Sequence, residues 1–511
     1  MQTNENPERE SSIEYSSTPV LQHSSTPVFP QVRRTPSRFR NAIGKYRLRR
    51  SSACVACGTC AEVCPYGVHK KRNSKMAKPE DYLCIGFSCN KCVTECPENA
   101  LSMEENPLTG VIGDRRWTPD LLISTWYMAE TGEAPPGDIE YKTGDSGGGF
   151  DRLRFHYTKE PSNELDEAGF STRIPLNRLN DGRADVQIDI PVYGGGMSYG
   201  SISLKVMVAR ARAWKAWNSF TCTGEGGYPE ELYPYDDHVI TQVATGLFGV
   251  REDTIQRVKI VEFKYAQGAK PGLGGHLLGD KVTPNVAKMR EAVPGSSLFS
   301  PFPFHSVYSV EDHKKHIDWI KEMNPEALVS VKVSTPTDVD MVAVGSYYAG
   351  AHIIHLDGSY GGTGAAPEIA KKNIAMPIEY AIVKVHSFLK EEGIRDKITV
   401  IASGGIRTAH DVAKAMALGA DGVVIGTSEM VALECIRCKN CESGRGCARG
   451  IATTDPELTE LIDVDWATQR LVNLFAAWRK QLVGILQRLG MRDIRELVGR
   501  TDCLRHLDYV G

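Results

Sequence analysis

Eight cysteines crowd into residues 54–96 as Cys54-x2-Cys57-x2-Cys60-x3-Cys64-Pro65, then Cys84-x4-Cys89-x2-Cys92-x3-Cys96-Pro97. No other feature restricts its stretch of chain so tightly. Two-residue gaps let a tight loop aim three thiolates at one face of a cubane cluster. The fourth cysteine, placed before proline, turns away and reaches a second cluster. This assigns Cys54, Cys57, Cys60 and Cys96 to one [4Fe–4S] site, and Cys84, Cys89, Cys92 and Cys64 to the other. Paired CxxC units also serve zinc, but two copies that each end in Cys-Pro favour clusters. Such centres relay single electrons.

The block resembles a two-cluster ferredoxin domain over residues 46–105, with the gap of four at Cys84–Cys89 as a small departure. Four more cysteines follow far downstream as Cys435-x2-Cys438-x2-Cys441-x5-Cys447, and only Cys222 and Cys503 stand alone. Tight clusters without an export signal indicate metal rather than disulfides. The start lacks a charged segment followed by an apolar one, and Glu5, Glu8, Glu10 and Glu14 argue against an organellar leader. No run of about 18 apolar residues could form a membrane span. The net charge of −3, from 60 basic and 63 acidic residues, gives no bias toward nucleic acid or an anionic membrane. The expectation is a cytoplasmic metalloprotein.

At 511 residues the chain has room for about three domains. Residues 1–45 read as a disordered tail rich in Ser, Thr and Pro, with SSTPV at 16–20 and again at 24–28. Residues 33–50 carry eight Lys or Arg and no acid. They read as a solvated arm or as a docking surface for an acidic partner. Residues 106–185 are a connector holding the glycine-rich loop 144–149. Residues 186–470 form the main domain, and 471–511 a C-terminal helical segment, with helical periodicity over 465–500.

Short apolar runs recur from about residue 186, each followed by a helical stretch such as 204–217 or 411–418. The candidate strands are 188–193, 219–223, 259–265, 296–302, 328–334, 352–357, 398–403 and 422–427. Eight strands alternating with helices predict an α/β fold: a (β/α)8 TIM barrel with an N-terminal ferredoxin-like domain and C-terminal helices. A doubly wound open sheet is the competitor.

In a barrel the active site lies at the C-terminal strand ends, and strands 7 and 8 commonly bind phosphate. Strand 7 ends in Ser403-Gly404-Gly405, strand 8 in Gly426-Thr427, and strand 6 in a loop containing Gly361, Gly362 and Thr363. Glycines let backbone N–H groups approach a phosphate, and a following helix N-terminus adds its dipole. No GxGxxG opens a helix after a strand, so a Rossmann domain is not expected. Strand 1 runs into Gly194–Ser201, where a cofactor ring could lie. Lys332 interrupts an apolar strand, a costly position unless it meets an anion, and Lys270 follows strand 3. The second cysteine block starts just after strand 8. Its spacing reads as Fe–S or zinc, and beside a flavin a redox cluster could pass on single electrons.

From about 190 to 505 the chain resembles the flavin domain of glutamate synthase. The matching stretches are 197–203 (MSYGSIS), 224–227 (GEGG), 267–275 (QGAKPGLGG), 361–367 (GGTGAAP), 404–407 (GGIR), 435–456 and 486–504. With the N-terminal block it looks like the archaeal-type enzyme. The resemblance implies reductive amination of 2-oxoglutarate to L-glutamate through 2-iminoglutarate. It implies FMN held by Met197, Ser198, Lys332, Gly404, Gly405, Gly426 and Thr427, and a [3Fe–4S] cluster on Cys435, Cys441 and Cys447. Lys270 would hold the 2-oxo acid, and Glu225 would couple ammonia arrival to chemistry.

Some positions depart from the family pattern. GEGGQLPG is here GLGGHLLG at 272–279, with His276 in place of a glutamine that helps bind 2-oxoglutarate. SPPPHHDIYS is here SPFPFHSVYS at 300–309, with Phe304 for a histidine. The last cluster gap is five residues where the family has four, which leaves Cys438 as a further ligand candidate. No glutaminase or pyridine-nucleotide module is recognised. Ammonia from glutamine, and electrons from NADPH, are therefore expected through a separate glutaminase subunit and an NAD(P)H/FAD reductase subunit or ferredoxin. The alternatives are an N-methylglutamate synthase subunit and a non-catalytic Fe–S electron-transfer subunit.

Overall fold

The computed structural model describes residues 29–38, 44–135, 149–160, 167–272, 275–361, 366–442 and 445–509. The SSTPV repeats, most of the 144–149 loop, and Gly362 and Thr363 lie outside the described residues.

Eight parallel strands form one sheet: β1 (Val192–Gly194), β2 (Thr221–Cys222), β3 (Val239–Ala244), β4 (Ile260–Lys264), β5 (Leu328–Ser334), β6 (Ile353–Asp357), β7 (Thr399–Ser403) and β8 (Gly422–Ile425). Each pairs with its sequence neighbour, and β8 returns to β1 through Val423↔Val192 and Ile425↔Gly194. The Gly194 N–H donates to the Phe220 carbonyl at 2.8 Å, and a Gly196↔Cys222 bridge joins β1 to β2. The sheet therefore closes on itself, which excludes the open doubly wound alternative. Strands rich in Val and Ile, buried on both faces, are what a barrel wall requires.

One predicted strand is wrong. Residues 296–302 do not enter the barrel. Leu298–Phe299 pairs antiparallel with His276–Leu277 in a small ribbon between β4 and β5. The third barrel strand is instead Val239–Ala244, read as VITQVA, and it pairs with Ile260–Lys264 in register from Ile240↔Ile260 to Ala244↔Lys264. It follows a Pro-, Tyr- and Asp-rich turn and carries Gln242, which broke the apolar run. Lys270 consequently follows the fourth strand, not the third. The first strand also lies later than 188–193, because Gln187–Ile188 pairs with Ile174–Pro175 in a separate ribbon.

The helix Val464–Leu489 packs on the barrel, with Trp214 and Phe475 stacked at 4.0 Å between ring centroids. Asp463 caps its start by accepting from the Trp466 N–H, and Gly490 ends it in the left-handed conformation. Helix Pro119–Thr131 of the connector is capped by Thr118 and lies against Val464–Leu489 and against the short helix Thr427–Ala432. In the cysteine domain, Tyr46–Arg50 pairs antiparallel with Leu101–Glu105 around a small core of Leu48, Val68, Leu83 and Leu101.

The expected disorder of 1–45 fails over residues 29–38, which form a strap along Val464–Leu489. Asn473 donates to the Arg33 carbonyl at 2.8 Å, Trp466 Nε1 to the Pro36 carbonyl at 2.9 Å, and Arg470 to the Thr35 carbonyl at 2.9 Å. The basic stretch is likewise committed inside the molecule. Arg34 pairs with Glu130 and Glu80, Lys45 with Asp120, and Arg49 with Glu104. These charges answer acids distant in sequence, so over the described residues the stretch is held against the molecule by ion pairs.

Candidate active site and relay cysteines

A cavity of about 300 Å³ opens at the C-terminal ends of the strands. Met197, Ser198, Lys332, Gly361, Gly404, Gly405, Gly426 and Thr427 all line it, as do Lys270, Glu225, Cys435, Cys441 and Cys447. Lys332 lies on β5, the others lie in the segments that follow β1, β2, β4, β6, β7 and β8, and the barrel closure gathers them.

Gly404 and Gly405 have φ of +90° and +118°. A Cβ on Gly404 would stand 2.6 Å from the Gly358 carbonyl, so β7 can turn there only through glycine. The turn leaves backbone N–H groups at the mouth beside the start of Thr427–Ala432. Arg116 is stacked on Tyr360 at 3.6 Å, and with Arg407 it adds positive charge to the same wall. This donor set suits a phosphate-bearing group.

Lys332 rises from the barrel floor, almost fully buried, with Nζ 3.4 Å from Asp357 Oδ2. Burial opposes its charge, but the carboxylates of Asp357 and Glu262 prevail and raise its pKa. Asp357 accepts from the Gly268 N–H at 2.9 Å and from the Ser403 hydroxyl. His355 bridges Ser403 Oγ at 2.7 Å and Glu262 Oε2 at 2.8 Å, and Gln242 donates to Glu262 Oε1 at 2.7 Å. Burial would raise the Glu262 pKa, but His355 outweighs it and holds the carboxyl near 2. A continuous hydrogen-bonded chain from Gln242 to Lys332 thus crosses five strands beneath the cavity. Sequence reasoning flagged Lys332 alone. The same signal, a polar residue inside an apolar strand, was present at Gln242, Glu262 and His355.

The other end of the cavity is strongly polar. Glu225 Oε1 accepts from Lys264 Nζ at 2.9 Å, and Glu225 Oε2 from the Ser300 hydroxyl at 2.9 Å. Burial would raise the Glu225 pKa, but Lys264 lowers it on balance. Gly275 lies directly beneath, since a Cβ there would fall 1.7 Å from Glu225 Oε1. Lys270 Nζ is 3.4 Å from His276 Nδ1. Arg290 donates to Ser198 Oγ at 2.8 Å and to the Tyr199 carbonyl at 3.0 Å, and burial lowers its pKa to about 10. Neither Arg290 nor Lys264 was singled out from the sequence, where one is an ordinary helix residue and the other an ordinary strand end. A second cavity of about 20 Å³ shares Glu225, Lys264, Gln267 and Lys270 and extends to Tyr265 and Phe302. Phe304 does not line the main cavity. It is buried against Phe263, Tyr265 and His316, so of the two departures only His276 faces the site.

Among the downstream cysteines, Cys435, Cys441 and Cys447 face the cavity while Cys438 is exposed. Burial pushes the Cys435 thiol up to about 11, a group that ionises readily only beside a cation. Arg437 of this loop pairs with Asp114 of the connector at 2.9 Å. In the N-terminal block, Cys64, Cys84, Cys89 and Cys92 surround one small cavity. Burial raises Cys84 to about 11 and Cys92 to about 12. Cys60 is raised first by burial, with opposing help from Arg50, and feels Cys57 and Cys54 as neighbours. These buried, mutually repelling thiols fit cationic clusters.

Comparison with known proteins gives the chain a family. The family description "Conserved region in glutamate synthase" matches residues 150–492, and "4Fe-4S binding domain" matches residues 50–68. The archaeal-type glutamate synthase (NADPH) of Thermotoga maritima is 36% identical over 477 residues, covering 88% of this chain and 92% of that protein. The archaeal glutamate synthase (NADPH) of Methanocaldococcus jannaschii is 35% identical, covering 88% and 93%. The glutamate synthase (NADPH) large chain of Azospirillum brasilense is 35% identical over 61% of this chain and 21% of its own. No described helix is long and apolar enough to cross a membrane.

Proposed function

The chain belongs to the glutamate synthase family, and we propose that it is the catalytic core that reductively aminates 2-oxoglutarate to L-glutamate through 2-iminoglutarate. One observation carries this reading: the glycine strand ends, Lys332 and three cysteines of the 435–447 loop open on a single cavity whose far wall is cationic.

Lys332, Gly404, Gly405, Gly426 and Thr427, with Met197 and Ser198, would hold FMN, which when bound supplies the hydride. The glycine N–H groups would hold its phosphate, and the Lys332 ammonium, kept charged by Asp357 and Glu262, would stabilise negative charge on the ring. Arg290 and Lys270 bind and orient the oxo acid, a carboxylate at the guanidinium and the carbonyl oxygen at the ammonium. Leu277, Leu298 and Phe248 limit water on that side. Glu225, ionised beside Lys264, faces both the main cavity and the smaller one behind it. It is placed to accept a proton from an arriving amine, which supports its role at the imine end.

Cys435, Cys441 and Cys447 would carry a [3Fe–4S] cluster, and the two four-cysteine sets of the N-terminal domain [4Fe–4S] clusters. Ammonia would come from glutamine through a separate glutaminase, and electrons from an NAD(P)H/FAD reductase subunit or ferredoxin. Clusters held at all three cysteine sites would suit a reducing, cytoplasmic location. His276 beside Lys270 supports one alternative, a related synthase taking methylamine to N-methylglutamate. The test is anaerobic: the reconstituted chain is reduced chemically and mixed with 2-oxoglutarate plus ammonium, or plus methylamine. Flavin reoxidation with glutamate formed establishes the reading, and reoxidation only with methylamine selects the alternative. A flavin that stays reduced in both rejects both, and a chain that binds no flavin is a relay subunit.

A further inference from the structure

The two four-cysteine sets of the N-terminal domain occupy different surroundings. Cys64, Cys84 and Cys89 neighbour Tyr66, which in turn neighbours Tyr127 on helix Pro119–Thr131. Tyr127 packs on the domain's core, and Trp117, just before that helix, lines the main cavity. This set is the inner one, on the barrel side. The other set includes Cys57, which is exposed, in a loop whose Val55 is 64% exposed.

A hairpin stands over that outer loop. Lys71 pairs with Met76 and Arg72 with Lys75, and Asn73 and Ser74 turn the chain with φ of +45° and +64°. Positive φ at both turn residues is the type I′ geometry of a tight two-residue hairpin. Lys71 Nζ donates to the Cys57 carbonyl at 3.1 Å, which fixes the hairpin on the cysteine loop. Residues 54–79 contain Lys70, Lys71, Arg72, Lys75 and Lys78 against Glu62 as the one acid. Lys70 is neutralised by Glu80. Arg72 and Lys75 are exposed, and neither forms an ion pair among the described residues. They also stand directly opposite each other across the ladder, where like charges destabilise. Among the described residues no acid pairs with Arg72 or Lys75, and they sit beside Cys57, an exposed cysteine of the outer set.

We propose that the Lys71–Met76 hairpin, with Val55 beside it, is the docking surface for an acidic one-electron carrier protein, and that electrons arrive at the outer set, Cys54, Cys57, Cys60 and Cys96. The order is then outer set, inner set, the 435–447 loop, and the main cavity. This rests on the cluster reading above and adds to it the direction of flow and the chemistry of the donor's surface. Each encounter oxidises the carrier by one electron and reduces the outer site by one. Two encounters, with two protons from solvent, supply the pair consumed for each imine reduced.

The test uses the full chain with reconstituted clusters, without oxo acid, and a reduced ferredoxin of net negative charge as probe. Reduction of the chain's clusters is followed by anaerobic rapid-freeze electron paramagnetic resonance, because the ferredoxin's own absorbance rises as it is oxidised. The second-order rate should fall about tenfold or more as ionic strength rises from about 0.01 to about 1 M, over which the Debye length shrinks from about 30 to about 3 Å. The double variant R72E/K75E should lower the low-salt rate about tenfold and remove the salt dependence. R72Q/K75Q should fall between the two. Reduction by the methyl viologen radical, which needs no docking, should match the unaltered chain in each variant and so shows that the clusters are intact. Rates from ferredoxin that ignore both salt and charge reversal would overturn the docking proposal and leave the synthase reading standing. A chain that forms no iron–sulfur absorbance would overturn the cluster reading and this proposal with it.

Discussion

Asp114 and Arg437 meet at 2.9 Å although 323 positions separate them in the chain. The Asp114 Oδ1 also accepts from the N–H groups of Arg116 and Trp117, each at 2.9 Å. One carboxylate thus shapes the turn that sends Arg116 and Trp117 into the cavity wall and anchors the loop carrying Cys435. Burial would raise its pKa, but Arg437 and the two N–H donors hold it below the ordinary value.

Replacing Asp114 with alanine should therefore act on both sides. Leaving Arg437 and two N–H groups without their acceptor should cost about 1–3 kcal/mol. It should also lower iron retained per chain, read by iron analysis beside the urea midpoint. Normal iron content with normal stability would contradict the coupling.

The cysteine loop gives a sharper contrast. Cys435→Ser, Cys441→Ser and Cys447→Ser should each abolish the spectroscopic signal of the proposed third cluster, while Cys438→Ser should retain it, because Cys438 is exposed and does not line the cavity. Electron paramagnetic resonance on the four variants decides. Loss of the signal in Cys438→Ser would make it a ligand.

Behind the cavity, Arg210 donates to both oxygens of Glu429 at 3.0 Å, Trp214 Nε1 adds a third bond at 2.8 Å, and Arg210 also holds the Gly195 carbonyl at 2.7 Å. All three side chains are buried. Glu429→Ala strands a buried guanidinium and should cost about 3–5 kcal/mol in denaturant unfolding. Because Arg210 tethers Gly195, flavin affinity should fall as well. A loss below about 1 kcal/mol would mean that water replaces the carboxylate.

The floor of the cavity gives a binding prediction. Lys332→Met removes the cation that Asp357 and Glu262 keep charged. It should weaken FMN about tenfold or more, on the scale of one charged hydrogen bond, as measured by fluorescence titration. Unchanged affinity would place Lys332 away from the ring.

Acid stability has an identified contributor at the barrel's other end. His352 Nδ1 accepts from the Val329 N–H at 2.9 Å, and Nε2 donates to Asp181 at 3.0 Å, so the ring is held neutral. Burial, only partly opposed by Asp181, lowers its pKa from 6.5 to about 4. The unfolded chain binds this proton first. Stability is therefore fully present above pH 6.5 and is lost as pH falls toward 4, by about 3 kcal/mol from this group. Urea midpoints across that window should fall with acid, and His352→Gln should flatten the slope. A parallel slope in the variant would assign the effect elsewhere.

The lettering of the chain determined most of the barrel and singled out the cysteines proposed as cluster ligands. Cysteine spacing is local, and a thiolate's reach is set by the few residues between it and its neighbour. Seven of the eight barrel strands overlap a run read from apolar pattern, because a strand buried on both faces shows its burial in its own residues. The glycine strand ends and Lys332 were legible for the same reason. What the pattern missed were contacts between distant segments. Val239–Ala244 was hidden by Gln242, whose cost disappears only when Glu262 of the next strand accepts from it. The strap at 29–38 looked disordered because the helix it lies along is more than 400 positions away. Arg290, the Lys264–Glu225 pair and the Asp114–Arg437 link exist only once the barrel closes, since a charge's partner is a matter of position in space and leaves no trace in its own neighbours along the chain.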